Sequence, residues 1–387
     1  MRPYPDIEHH RIACQTVEGE DRLRFWRTFT LNFAADSEDI TEGQREFLFD
    51  HGFTPEKWGL YRLQSRHPGF FFSDVQRERT RNVNGPYDIV FNNKILFTQV
   101  FMPYARVPHI AALWRNGRLI EHDPIWSRIK TGALTEPLRL VAKPVGGGGG
   151  GSIYFLRADA ERVLVESNDH DEKSRHFPVA EIERVFEGAK VPFIVNSFIE
   201  QGRYSAGLYP RTVNTLRVLV IRDPETLQPH IIRAVQRIGT SESYPIDNFS
   251  YGGLSARVTL ETGELGLAIT AGGSNPRVFM DRHPDTGEPI AGKLIPGWGD
   301  VKRKVLDLFQ ALPYLNYCGF DLVIQDDGFC IIEGNSFSQV RLFQMHEPLL
   351  IDPLYRKFLR HHGILQGGEE EFKRLEAEGH LKTEGPL

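Results

Sequence analysis

GFDLVIQDDGFCIIEGN, Gly319 to Asn335, reads as two short strands joined by an acidic turn. With Asp326, Asp327 and Gly328 as a three-residue loop and Gly328 in the left-handed position, Gln325 pairs with Phe329 and Asp321 falls opposite Glu333. Asn335 lies further along the same face. The opposite face collects Phe320, Leu322, Ile324, Cys330 and Ile332, an apolar set that belongs in a core. Two carboxylates and an amide therefore converge on one side of an anchored hairpin. Opposed carboxylates repel unless a cation lies between them, and hard oxygen ligands of this kind suit Mg²⁺ or Mn²⁺. The plainer reading is an acidic, solvent-facing sheet surface. A two-residue Asp-Gly turn would send Asp321 and Glu333 to opposite faces.

A second stretch, VAKPVGGGGGGSIYFL from Val141 to Leu156, carries six consecutive glycines. A flexible linker is the usual meaning of such a run, but linkers have polar flanks and these flanks are apolar strand patterns. A dinucleotide fingerprint must open a helix, whereas SIYFL is β-branched and aromatic. The remaining reading is a hairpin loop folding over phosphates, because glycine lets backbone N–H groups come close to an anion. Strand alternation places Arg139, Val141 and Lys143 on one face and Leu138, Leu140 and Ala142 on the other, so a lysine stands just before the loop. GEPIAGKL, Gly287 to Leu294, nearly spells a Walker A motif, but it ends in a residue without a hydroxyl and reads as a turn.

The rest of the chain sets the frame. Its 387 residues are 40% hydrophobic and 25% charged, ordinary for a soluble protein of two or three domains. A formal net charge of −5 argues against a chain held on nucleic acid or anionic lipid. Three scattered cysteines, Cys14, Cys318 and Cys330, make neither a disulfide framework nor a zinc site, which fits a reducing cytoplasm. No apolar signal core opens the sequence, and no run reaches the about 18 apolar residues of a membrane span. DRLRFWRTFTLNF and TEGQREFLFDHGF have helical spacing, so residues 1–86 read as a helical N-terminal segment. YDIVFNN ends in an asparagine pair able to cap a helix over KILFTQVFMPYA, followed by a strand at HIAALWR. AEIERVFEGA reads as a helix, NTLRVLVIRD and PHIIRAVQRIG as antiparallel strands, DVKRKVLDLFQAL as an amphipathic helix, and the end, GGEEEFKRLEAEGHLKTEGPL, as a charged, solvated surface helix with a loose tail. His170 and His283 read as loop histidines without a role.

Taken in order, Lys94 at a helix start, Lys143 before a glycine loop, the apolar FIVNSFIEQ, and D…E-G-N on a terminal hairpin resemble the ATP-grasp family. Its sugar-transfer-associated branch is the nearest likeness, through VNTLRV, RIGTSESYPIDNFSYGGLSARV, LETGEL and EGN, over roughly residues 87–350. The resemblance implies an α+β fold in which two lobes with antiparallel sheets clamp ATP, with boundaries at 87–195 and 196–350 and a helical tail at 351–387. It implies that Lys94 and Lys143 contact the nucleotide phosphates and that Gly146 to Ser152, with Gly148, Gly149, Gly150 and Ser152 foremost, form the loop above them. Ser197 and Ile199 would bind adenine through their backbone, and Glu200 would hold the ribose. Asp321, Glu333 and Asn335 match the family's magnesium ligands. Asn248 and the turn at Tyr251, Gly252 and Gly253 would lie near the phosphates or the acceptor.

Arg217, Arg233 and Arg237 lie on strands of the expected second lobe, and each has surface charge as its plain reading. In the ligase reading they stabilise charge while a substrate carboxylate takes the γ-phosphate of ATP and an amine then displaces phosphate. The expectation is therefore an ATP- and Mg-dependent (or Mn-dependent) carboxylate–amine ligase acting in the cytoplasm on small molecules, with surface polysaccharide synthesis as a setting. A phosphotransferase acting on a hydroxyl and a non-catalytic nucleotide-binding protein are the alternatives. Nucleic acid and a membrane span are not expected, and a homodimer is left open.

Overall fold

The computed structural model describes residues 40–147, 153–169, 174–270 and 278–379. Gly148, Gly149, Gly150 and Ser152 of the expected phosphate loop, the DRLRFWRTFTLNF helix and His170 lie outside the described residues.

Two antiparallel sheets organise the chain. The first contains β1 (Ile110–Arg115), β2 (Arg118–Glu121), β3 (Leu138–Pro144), β4 (Tyr154–Ala158), β5 (Arg162–Ser167), β6 (Arg175–Pro178) and β7 (Phe193–Ser197), in the order β2-β1-β7-β3-β4-β5-β6. The second contains β8 (Leu216–Arg222), β9 (Pro229–Ile238), β10 (Leu254–Val258), β11 (Leu265–Thr270), β12 (Val278–Met280), β13 (Tyr317–Gln325) and β14 (Gly328–Asn335), in the order β12-β11-β10-β9-β8-β13-β14. The α+β architecture expected from the sequence is the one observed.

Alternation along β8 divides the second sheet between two cores. Leu216, Val218 and Val220 join a cluster under the helix Trp298–Ala311, which presents Val301, Val305 and Leu308 at helical spacing. Leu219 and Ile221 face the other way, toward the residues flanking the sheets in sequence: Phe49, Phe53 and Phe70 from one side, Phe343, Phe358 and Phe372 from the other. Buried Gln344 ties these two flanks together. Its carbonyl accepts from the Phe72 amide at 2.7 Å and its amide donates to the Phe72 carbonyl at 2.8 Å, as a strand neighbour would. The first sheet has its own core, Leu140, Ala142, Val163 and Val195 against the helix Ile125–Lys130 and the turn Val179–Phe186.

Several expectations are corrected here. The acidic hairpin closes through a two-residue turn, with Gln325 opposite Gly328 rather than Phe329. Both turn carboxylates are claimed by arginines: Asp326 accepts from the Arg203 amide at 2.8 Å, and Asp327 from both Arg106 Nη atoms at 2.7 and 2.9 Å. A β-bulge at Ile332 then restores the pairing of Asp321 with Glu333. One residue of slip follows from the shorter turn, so Phe329 and Ile331 take the core positions expected for Cys330 and Ile332. AEIERVFEGA forms a 3₁₀ helix, Val179–Phe186, whose buried Ile182 and Val185 fit its three-residue period. The charged helix Glu369–Ala377 is not merely solvated: Phe372 and Leu375, one turn apart, are buried in the core. His283 is buried, with its Nε2 2.7 Å from the Gly239 carbonyl and its ring stacked on Tyr209.

A pH effect follows from the far end of this core. His362 lies against the Phe358 ring, and burial with His361 nearby pushes its imidazole from 6.5 down to about 4. As pH falls below 6.5 the unfolded chain takes up a proton that the folded chain refuses, so stability is full above 6.5 and declines toward 4. Urea midpoints measured between pH 7 and about 5, above the ordinary carboxylate range, should fall with pH. Replacement His362→Phe should flatten that slope.

Candidate functional site between the sheets

The chain enters the cleft through a capped helix. Asn93 accepts from the Ile95 and Leu96 amides at 3.0 and 3.2 Å, starting the helix Lys94–Phe101 as the sequence suggested. Phe97 and Phe101 bury themselves beside the second sheet, which leaves Lys94 at the helix start facing the glycine run. Its Nζ donates to the Gly147 carbonyl at 2.8 Å, and its amide donates to Val145 at 2.9 Å. Lys143, near the end of β3, reaches the second sheet, where its Nζ donates to the Ile332 carbonyl at 3.3 Å. The bulge thus serves twice: it turns Glu333 into the cleft and presents a carbonyl to Lys143.

Lys94, Lys143, Asn196, Ile332 and Glu333 line one narrow cleft. Burial lowers the pKa of both lysines, and Glu333 opposes that shift; Lys143 is further lowered by Lys94. Two desolvated cations with one carboxylate between them favour an incoming polyanion. The half-buried Glu333 side chain has no hydrogen-bond or ion-pair partner among the described residues.

Asp321 lies opposite Glu333 on the ladder and is 3% exposed. Arg217 grips it with two nitrogens, Nη2 at 2.7 Å from Oδ2 and Nε on Oδ1. Arg237 Nη1 stands 3.6 Å from the same Oδ2, and its Nη2 donates to Asp247 at 2.7 Å. The result is a buried row of alternating charge, Arg217, Asp321, Arg237, Asp247. Beside this row, a Cβ at Gly319 would strike Ser338. Among the described residues no group of three His, Cys, Asp or Glu is placed to hold a metal. Asp321 (both oxygens on Arg217), Glu333 and Asn335 (whose Nδ2 donates to the Gly319 carbonyl at 3.3 Å) lie at neighbouring ladder positions of this hairpin; their oxygens are of the hard kind that could serve Mg²⁺ if water and phosphate completed its shell.

The remaining expected residues lie elsewhere. Arg233 turns to Glu347 at 3.1 Å and Asp352 at 3.4 Å, and so fastens the sheet to the segment before the helix Pro353–His361. The Ser197 amide donates to His109 at 2.9 Å. The Ile199 amide makes no backbone hydrogen bond among the described residues. Glu200 is exposed and accepts from Arg139 Nη1 at 2.9 and 3.0 Å. Asn248 caps the turn Phe249–Tyr251, and at Gly253 a Cβ would meet the Asp247 carbonyl at 2.8 Å.

The family model for sugar-transfer associated ATP-grasp matches residues 76–354. The chain belongs to the sugar-transfer associated ATP-grasp family. No curated protein matches it. Among solved structures it is similar to the L-amino acid ligase from Bacillus licheniformis, at 13% identity over 64% of this chain and 41% of that one, with a TM-score of 0.31. It is also similar to the D-alanine-D-alanine ligase from Coxiella burnetii, at 10% identity over 79% and 63% with a TM-score of 0.34. A third is biotin carboxylase from Campylobacter jejuni, at 11% identity over 77% and 49% with a TM-score of 0.33. The chain spans less than two thirds of the length of each of these structures.

Within this ATP-grasp protein, Asp247 and Asn196 are site features that reading the sequence missed. Asp247 is one acid in a loop rich in polar residues, and nothing local marks it as buried. Asn196 carried a faint signal, as an amide in the otherwise apolar strand β7; it is 3% exposed and donates to His109 at 3.2 Å. Among the described residues no helix is long and apolar enough to cross a membrane.

Proposed function

We propose that this ATP-grasp protein is an ATP- and Mg²⁺-dependent carboxylate–amine ligase. The observation that carries the proposal is the cleft in which unpartnered Glu333 faces Lys94 and Lys143, with Asp321 beside it on the ladder. In this reading the nucleotide lies between residues 87–195 and 196–350, its base against Ser197 and Ile199, its ribose near Glu200, and its phosphates on the two lysines under the loop that includes Gly148, Gly149, Gly150 and Ser152. Asp321, Glu333 and Asn335 hold Mg²⁺, which when bound screens phosphate charge and draws electron density from the phosphoryl group.

The chain's own residues then have distinct tasks. Lys143 and Lys94 hold the β- and γ-phosphates as point charges. A substrate carboxylate attacks the γ-phosphorus, the bond to the bridging oxygen breaks, and ADP leaves. The acylphosphate so formed is attacked by an amine, and inorganic phosphate departs as the amide forms. Arg217 and Arg237 stabilise charge on the transferring group, and most of the catalysis is positioning. Arg233 serves the scaffold in this account rather than the chemistry. With a family described as sugar-transfer associated, our reading takes a sugar acid or a related surface-polysaccharide precursor as the carboxylate, joined to an amino compound.

A panel of sugar acids crossed with amines, assayed for ADP and free phosphate, tests the proposal. Equal ADP and phosphate release that requires both partners is the expected result. ADP formed with a hydroxyl compound and no free phosphate would replace the ligase with a kinase.

A further inference from the structure

The loop Gly239–Gly253 touches both halves of the molecule. Its base is fixed: the Gly239 amide donates to Asn214 Oδ1 at 2.9 Å and its carbonyl accepts from buried His283 at 2.7 Å. At its middle Asp247, 5% exposed, accepts from the Thr215 amide at 2.8 Å and from Arg237 at 2.7 Å. Arg237 in turn stands over Asp321. Between base and middle, Tyr244 leaves the second sheet altogether. Its hydroxyl donates to Glu166 Oε1 at 2.9 Å, and Arg211 covers its ring at 4.6 Å.

Glu166 belongs to the first sheet. It sits on β5 opposite Phe155 of β4, the strand that follows the glycine run, on the far side of β3 from β7. Other polar links between the sheets gather near β7 and the acidic turn, including Gly202 to Ile324 at 2.8 Å and Gln325 to Glu200 at 3.2 Å. The Tyr244 contact therefore joins the sheets at a second, separate place. Burial and the Glu166 carboxylate both raise the phenol's pKa, so it stays a donor across the physiological range.

We propose that Tyr244 is a positioning residue: contact with Glu166 on the nucleotide-side sheet sets the loop Gly239–Gly253, and Asp247 on that loop aims Arg237 at the transferring phosphoryl group. The inference rests on the nucleotide reading of the cleft. The contact is already made at 2.9 Å, so a nucleotide bound between the sheets would hold it rather than create it. With the base of the loop clamped, any opening of the sheets is felt where Asp247 holds Arg237. Nucleotide binding thereby keeps the arginine set for transfer.

Hydrogen–deuterium exchange on the full chain, with AMP-PNP and MgCl₂ as the probe, tests the coupling. In the wild type the probe should slow exchange in residues 141–147 and 330–335, and also in 239–253. Tyr244→Phe should keep the first two protections, lose the third, and bind AMP-PNP about five-fold more weakly, the loss of one hydrogen bond that helps hold the two sheets against each other. Glu166→Leu should behave alike, and the double variant should be no worse than either single one. A loop equally protected in Tyr244→Phe, or single effects that add in the double variant, would overturn the coupling. Absence of protection at 141–147 and 330–335 in the wild type would instead remove the nucleotide reading itself.

Discussion

Replacing Glu333 with glutamine is expected to abolish the Mg²⁺-dependent rise in melting temperature that AMP-PNP gives the wild type. Glu333 is the one carboxylate in the cleft without a partner among the described residues, and its amide isostere keeps the shape while removing the charge a dication needs. Losing even an outer-shell partner costs metal affinity about 10–100-fold, so loss of a direct ligand should exceed about 100-fold. The lysines predict the control. With EDTA present, Lys94 and Lys143 face nucleotide without an opposing carboxylate, so metal-free AMP-PNP should bind the variant at least as well as it binds wild type. Wild type at a hundred times its Kd should gain about 2.7 kcal/mol. An unchanged Mg²⁺-dependent shift in Glu333→Gln would remove Glu333 from the metal site.

The second large effect concerns Arg217. This side chain is 7% exposed and Asp321 3%, and the two are joined by a forked hydrogen bond. Breaking a buried pair from one side leaves the other charge uncompensated and typically costs about 3–5 kcal/mol. Arg217→Met should lose about that much in urea unfolding with EDTA present, with Arg237, 3.6 Å away, moderating the loss. Mg²⁺ should then restore part of it, because a dication between Asp321 and Glu333 replaces the missing guanidinium. Wild type, already neutralised, should gain less from Mg²⁺ alone. A variant that is destabilised but indifferent to Mg²⁺ would place the metal away from Asp321.

The sequence was most informative where period two and turn chemistry act locally. Asp321 opposite Glu333 could be anticipated from the hairpin, as could the cap at Asn93 and the face shared by Val141 and Lys143. Asp321 and Glu333 pair as that hairpin predicts, but along a different path, since a shorter turn and a bulge cancel each other between Gln325 and Glu333. Nothing in DLVIQDDGFCIIEG marks Ile332 as the extra residue; the arginines that pin the turn, Arg106 and Arg203, come from remote segments. Arg233 and Arg237 share a strand face and looked equivalent. What separates them is tertiary, Glu347 and Asp352 for one, Asp247 and Asp321 for the other. The charged helix Glu369–Ala377 misled because two buried residues in nine are a weak apolar stripe.

The contact of Gln344 with Phe72 spans 272 positions and closes the core on the sheet face that carries Asp321 and Arg217. During synthesis, then, the strands that bear Arg217 and Asp321 leave the ribosome before the segment that covers them. Until residues 340–375 emerge, Leu219, Ile221 and Val235 lack part of the apolar cluster that buries them. A nascent chain stalled short of that point presents a greasy sheet to solvent, the kind of surface chaperones retain and nascent chains aggregate through. Assembly of this face of the sheet therefore waits on the covering residues, and its timing is written into where along the polypeptide they lie.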